Sequence, residues 1–228
     1  MDRLRPLGRG LRLAATTLRL MPSWAWAGAP ESVLAQWSRE ALVSLGIQVD
    51  LERQAEEGGA LVVANHLSWV DPLVIMAMAP ALPLAKEEVG QYPVIGPLAR
   101  FAGVRFVRRE CPQDCGRALR RIWTDLASGR RVLLFPEGTT TDGSRLAPLR
   151  RGGLAAAYRL GLPLLPLRLD SPDTAYPWLG DDPLGPHLRT LLDRPRTRVT
   201  VTPRPVLHPA DHRTLGHWLE AVRWALAP

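Results

Sequence analysis

The hydrophobic positions change period as the chain proceeds. Placed on a helical wheel at about 100° per residue, Leu4, Leu7, Leu11, Ala14, Ala15 and Leu18 fall on one side of the first 21 residues, and Arg5, Arg9, Arg12 and Arg19 on the other. That pattern predicts a basic amphipathic helix of the kind that lies in a membrane interface, although Leu13 and Leu20 fall off the stripe and Pro6, Gly8 and Gly10 weaken the first turns. Pro22 to Ala27 reads as a turn carrying Trp24 and Trp26, aromatic residues that suit the headgroup level. Two readings compete. One is a secretory leader, which Arg19 inside its apolar region opposes; the other is a plain surface helix packed on the domain. A second helical stripe follows from Glu31 to Leu45, through Val33, Leu34, Trp37, Ala41, Leu42 and Leu45.

Beyond residue 48 short apolar runs alternate with helical segments. The runs of strand length are Leu61 to Ala64, Leu82 to Ala85, Val104 to Val107, Val132 to Phe135, Leu164 to Leu169 and Thr197 to Val201. Between them lie helical patterns at Pro72 to Met78, Tyr92 to Phe101, Pro112 to Ser128 and Leu149 to Leu160. Ser171 to Pro186, rich in Pro, Asp and Gly, reads as a long loop, and Leu215, Trp218, Leu219, Val222 and Leu226 close the chain as an amphipathic helix. Strands alternating with helices predict an α/β fold with a mostly parallel sheet flanked by helices.

Composition narrows the choice of partner. The 228 residues carry 29 Lys and Arg against 22 Asp and Glu, a formal charge of +7, and Lys86 is the one lysine. With 46% hydrophobic residues the chain is not disordered. Its longest nearly uncharged stretch, Pro72 to Ala85, is broken by Pro80 and Pro83 and falls short of the roughly 20 residues a membrane-spanning helix needs. Cys111 and Cys115 make no disulfide framework; they read as a helix-start residue and a core residue. The basic excess points to an anionic partner, whether nucleic acid, anionic lipid or an acidic carrier protein. No nucleic-acid recognition motif accompanies it.

In parallel sheets ligands gather beyond the carboxyl ends of the strands. After the first run come Asn65, His66 and Ser68, then Asp71-Pro72, which has the form of a helix N-cap followed by Pro at the first helical position. His66 then sits on a strand-to-helix turn with a carboxylate near enough to hold one ring nitrogen, leaving the other to act as a base. Phe135-Pro136-Glu137-Gly138-Thr139-Thr140 leaves the fourth run, and Arg108 and Arg109 end the third on opposite sides of the strand. For Glu137 a buried ion pair with an arginine and direct contact with a ligand stand level. His208 and His212 lack further ligands for a metal, and His187 and His217 read as surface residues. Arg117, Arg120 and Arg121 read as a solvated helix face.

Asn65-His66 through Asp71 resembles the His-x4-Asp motif of the glycerolipid acyltransferase family, to which 1-acylglycerol-3-phosphate acyltransferases belong. Three further blocks follow in the family's order: Gly103, Phe106, Val107 and Arg109; Phe135 to Thr139; and Leu165-Pro166-Leu167. Lys86 and Glu88 resemble its Lys-x-Glu element. The resemblance implies a two-helix N-terminal membrane motif, here residues 1–48, ahead of an α/β acyltransferase domain, residues 49–228. It implies transfer of a fatty acyl group from acyl carrier protein or coenzyme A to a lysophospholipid hydroxyl, with 1-acyl-sn-glycerol-3-phosphate first and lyso-ornithine lipid as the alternative acceptor. His66 and Asp71 are the implied catalytic pair, and Lys86, Arg109, Glu137, Gly138 and Thr139 the implied substrate contacts, with no metal and no permanently bound cofactor. The implied location is the cytoplasmic face of the cell membrane, on anionic lipid, as a peripheral protein. A non-catalytic lipid-binding protein is the alternative from another class. The chain departs from the family at Arg108, where an acidic residue is usual, and at Thr140, where many lysophosphatidate enzymes carry arginine.

Overall fold

The computed structural model describes residues 5–26, 30–52, 60–91, 96, 104–108, 111–180 and 182–228, with the backbone alone at 5, 20–26, 30, 31, 86 and 112. The described residues form seven strands: β1 (Ile47–Leu51), β2 (Leu61–Ala64), β3 (Leu82–Lys86), β4 (Arg105–Val107), β5 (Val132–Leu134), β6 (Leu164–Asp170) and β7 (Thr197–Pro203). They lie in the order β1-β7-β6-β2-β5-β3-β4. Every neighbouring pair is parallel except β6 and β7. The helices are α1 (Arg5–Trp26), α2 (Pro30–Leu45), α3 (Asp71–Met78), α4 (Pro112–Ala127), α5 (Arg151–Arg159), α6 (Leu184–Asp193) and α7 (Leu215–Leu226).

The period of two along the strands divides the core into two layers. Val62 and Ala64 of β2, with Leu133 of β5, pack with residues of α2, α3 and α6. Leu61 and Val63, with Val132 and Leu134, pack with residues of α4, α5 and α7. Strand β2 is apolar at all four positions because helices cover both its faces.

Three features differ from the sequence reading. Strand β1 carries no prediction: as an edge strand it is only partly buried over Gln48 to Asp50, so its apolar signal is thin. Helix α6 begins at Leu184, inside the expected loop; Pro186 falls in its first turn, where a missing N–H goes unused, and Leu188, Leu191 and Leu192 reach the core. The turn expected at Pro22 to Ala27 is absent as far as Trp26, since α1 continues through Pro22. The helix expected at Tyr92 to Phe101 lies outside the described residues, apart from Gly96.

Helix α1 also turns the opposite way from a helix that buries its leucine stripe. Leu7, Leu11 and Leu18 are 62%, 63% and 68% exposed, whereas Thr16 and Thr17 are buried and the off-stripe Leu13 packs on the core. Trp37 Nε1–H donates to Thr17 Oγ1 at 3.0 Å, and Arg19 pairs with Glu40. Arg9 donates to the carbonyls of Leu192 at 3.1 Å and Pro195 at 2.8 Å and to that of Arg194, which caps the C-terminal end of α6. No described helix is long and apolar enough to cross a membrane.

Candidate active site

Because β2 and β5 are parallel neighbours with Val63 opposite Leu134, the loops that leave them open on the same edge of the sheet. His66 follows one strand and Phe135 to Gly138 the other. The His66 ring stacks on Phe135 with centroids 4.1 Å apart at 19°. Its Nδ1 lies 2.8 Å from Asp71 Oδ2, so Nδ1–H donates there and Nε2 is the nitrogen left for a substrate. The imidazole is 15% exposed and the Asp71 side chain fully buried, which presents one edge of the ring to the outside and none of the carboxylate.

Asp71 does not cap α3. The N-cap is Val70, without a side-chain bond, and the Asp71 carboxylate points back along the chain. Oδ2 accepts the N–H groups of Leu67 at 2.6 Å and Ser68 at 2.8 Å besides the imidazole, and Oδ1 accepts the hydroxyl of Tyr176 at 2.6 Å. Pro72 makes this possible, since with no N–H it leaves the helix start one donor fewer to satisfy. Burial pushes the Tyr176 phenol well above its usual 10, and the Asp71 charge adds to this, so Tyr176 is a permanent donor.

The loops around the pair are braced by backbone groups. Glu137 is buried; Oε1 accepts His66 N–H and Oε2 accepts Ala147 N–H, each at 2.8 Å. Burial raises the Glu137 carboxyl above its ordinary value, and the two N–H groups oppose that rise. No arginine among the described residues pairs with Glu137 at ion-pair distance, so of the two level alternatives the buried ion pair does not form there. His66 C=O accepts Thr141 N–H and Leu67 C=O accepts Trp178 N–H, both at 2.8 Å. Asn65 ties the end of β2 to β6 by donating to Leu169 C=O at 2.9 Å and accepting Leu169 N–H at 2.7 Å. Ser68 is fully buried and its hydroxyl accepts Val70 N–H at 3.4 Å, which leaves it a turn residue rather than a nucleophile.

Of the other expected site residues, Lys86 ends β3 opposite Val107 of β4, so its backbone is at the correct edge of the sheet; its side chain lies outside the described residues, as does all of Arg109. Arg108 is exposed and pairs with Asp114. Gly138 is buried at φ +72°, the left-handed region that favours glycine, and Thr139 is exposed beside it. Thr140 donates its hydroxyl to Trp178 C=O. The N–H groups of His66, Leu67, Ser68 and Gly138 are all engaged, whereas those of Thr139 and Thr140 have no acceptor among the described residues. His187 is half-buried rather than on the surface, and its Nδ1 accepts Trp69 Nε1–H at 2.9 Å. No cluster of metal-ligating side chains occurs among the described residues.

Tyr176 and Trp178 escape the sequence reading. Both lie in the segment taken for a polar loop. Tyr176 and Trp178 are the signal there, because large aromatic residues amid Pro and Asp are poorly explained by solvation.

A histidine held by a buried carboxylate at the carboxyl edge of a parallel sheet defines a site for transfer of a group to a nucleophile whose proton the imidazole removes. The chain belongs to the acyltransferase family: the family model described as Acyltransferase matches residues 46–170. It is an acyltransferase, and its relatives act on lipids. It is 34% identical over 218 residues to the lyso-ornithine lipid O-acyltransferase of Pseudomonas aeruginosa, covering 88% of this chain and 84% of that protein. It is 33% identical over 147 residues to the 1-acyl-sn-glycerol-3-phosphate acyltransferase of Neisseria meningitidis, covering 62% of this chain and 58% of that one. The fold is similar to the crystal structure of the 1-acyl-sn-glycerophosphate acyltransferase PlsC from Thermotoga maritima, with a TM-score of 0.67 at 20% identity over 98% of this chain and 95% of that chain.

Proposed function

We propose that the protein transfers a fatty acyl group from a thioester of acyl carrier protein or coenzyme A to the hydroxyl of a lysolipid. The observation that carries this reading is the His66 to Asp71 contact, 2.8 Å long, in a chain of the acyltransferase family. His66 Nε2 takes the proton of the acceptor hydroxyl as its oxygen attacks the thioester carbonyl, and Asp71 holds the imidazolium that forms. Collapse of the tetrahedral intermediate breaks the C–S bond, and the imidazolium returns the proton to the departing thiolate. No enzyme-bound acyl intermediate arises.

One acceptor is 1-acyl-sn-glycerol-3-phosphate, giving phosphatidic acid for phospholipid biosynthesis. Thr140 in place of arginine, together with the extent of similarity to the P. aeruginosa relative, favours lyso-ornithine lipid as the second. Residues 1–48 form the membrane-facing unit and 49–228 the catalytic one: the exposed Leu7, Leu11 and Leu18 enter the interface of the cytoplasmic leaflet. Arg12, Arg39 and the Arg19–Glu40 pair line a groove of about 430 Å³ between α1 and α2, and its cationic excess suits anionic headgroups.

The test is turnover by purified protein with labelled acyl donor, offered lysophosphatidate and lyso-ornithine lipid in parallel. His66→Ala lowers turnover about 10²-fold or more while vesicle binding persists. Full activity of that variant would show that His66 is not the base.

A further inference from the structure

The turn that carries His66 and Asp71 is fastened from α6 as well as from the strand exits. Trp69 stands between the two catalytic residues in sequence and donates its indole Nε1–H to His187 Nδ1 at 2.9 Å. The two rings meet edge to face, with centroids 6.5 Å apart at 78°. Trp69 and Leu188, the next residue of α6, are partly buried against the core layer that also holds Leu67 and Val70 of the turn. The link is therefore built into the packed interior.

Accepting from Trp69 fixes the state of the His187 ring. Nδ1 uses its lone pair on the indole, so the imidazole is neutral and carries its proton on Nε2. Nε2 is buried and has no partner at hydrogen-bond geometry among the described residues. The backbone of Pro177, Ala175 and Tyr176 nevertheless acts on the ring, which places His187 against the segment that returns to the site. In that segment the Tyr176 hydroxyl holds Asp71 Oδ1 and Trp178 N–H holds Leu67 C=O. One imidazole thus bears on both the catalytic turn and the segment that clamps its carboxylate.

A second proton on His187 would go to Nδ1, where it would meet the indole N–H donor to donor and break the link. Burial opposes that proton and holds the imidazole below its usual 6.5, while Asp182, just ahead of α6, favours it. Other charged groups nearby are engaged. Arg189 pairs with Asp193 on α6, Arg194 with Asp173 of the preceding segment and Asp71 with His66 on the turn, and Arg9 of α1 caps the far end of α6.

We propose that His187 is a positioning residue for acyl transfer: in its neutral form it holds Trp69, and through Trp69 the turn that aims His66 and Asp71. It acts on the turn and not on substrate, and protonation of its ring releases the turn. This inference rests on the reading of His66 and Asp71 as the catalytic pair.

The test is steady-state kinetics of the full chain between about pH 5 and pH 8, well below the melting temperatures, with lysophosphatidate and lyso-ornithine lipid as acceptors. His187→Phe keeps a ring but removes the acceptor, Trp69→Phe removes the donor, and His187→Asn keeps an acceptor where Nδ1 stood without titrating. At the alkaline end His187→Phe and Trp69→Phe each lower kcat about three- to ten-fold, with both KM values within about two-fold of wild type. The double variant loses no more than either single one, and His187→Asn keeps at least about half of the wild-type kcat. The ratio of wild-type to His187→Phe kcat falls toward one as pH drops below about 6.5, whereas the ratio of His187→Asn to His187→Phe stays level. Packing alone would move neither ratio with pH. Should His187→Phe fail to fold, Trp69→Phe carries the test, and the wild-type to Trp69→Phe ratio follows the same pH course. A kcat within about two-fold of wild type in Trp69→Phe overturns the proposal. So do losses that multiply in the double variant, an equal loss in His187→Asn and His187→Phe, or a wild-type to variant ratio that does not change with pH. Full activity of His66→Ala would instead refute the reading of the catalytic pair, a result separate from any of these.

Discussion

Tyr176→Phe removes one hydroxyl and little else. The ring stays packed, with the residue fully buried, and the only hydrogen bond lost is the 2.6 Å donation to Asp71 Oδ1. That oxygen has no other donor among the described residues, since Leu67, Ser68 and His66 all bond Oδ2. A hydrogen bond to a charged group is worth about 1.5–3 kcal/mol, and leaving a buried carboxylate oxygen unpaired places the loss toward the upper part of that range. The variant should therefore unfold more readily by about 2–3 kcal/mol, a shift in Tm of several degrees for a chain of this size. The same carboxylate orients the imidazole, so kcat should fall roughly 5- to 30-fold, equivalent to about 1–2 kcal/mol at the transition state. Neither KM should change, because the buried phenol touches no substrate. Circular dichroism melting and initial-rate kinetics with saturating donor and acceptor measure both effects. A variant with wild-type kcat and a melting curve within error of wild type would refute the claim that Tyr176 positions Asp71.

Three further outcomes follow from the fold. Arg9→Gln uncaps three carbonyls at the end of α6 and should cost about 1–3 kcal/mol in urea unfolding, with no change in acceptor KM if the enzyme remains folded. Leu11→Asp with Leu18→Asp should abolish sedimentation with anionic vesicles while leaving the melting temperature almost unchanged, since both leucines face outward; unaltered sedimentation would remove α1 from the membrane contact. Burial holds the His187 imidazole below its usual 6.5, so as pH falls through that value the unfolded chain takes up a proton and the folded one does not. Stability should fall with pH from about 6.5 downward and be insensitive to His187 above it. His187→Gln should flatten that part of the melting-temperature profile, and an identical slope in the two proteins would assign the loss to other groups.

The chemistry of the site was legible in the chain to the extent that it is local. His66 and Asp71 are five positions apart, and a strand exit before a Pro-started helix brings them together with little help from elsewhere. The role of Asp71 was less legible. An Asp-Pro pair at a helix start reads as a cap, and only the loop from Ala175 to Trp178, returning from far along the chain, shows why the carboxylate turns backward instead. Glu137 is similar. Its burial could be guessed from its position after an apolar run, but its partners are backbone N–H groups of two other loops, and backbone donors leave no mark in a sequence.

The sequence by itself determined six of the seven described strands, every described α-helix but α6, the mostly parallel sheet and the blocks that mark the family, because periods of 2 and 3.6 and short motifs are properties of neighbouring residues. Only the tertiary structure decided which side of α1 faces the protein: Leu13 and Arg9 meet partners in the core and at the end of α6, and this turns the leucine stripe outward. Tertiary structure likewise brought Tyr176 to Asp71 and His187 to Trp69. Contacts between residues distant in sequence are selected by the packing of the whole fold, and no local pattern records them.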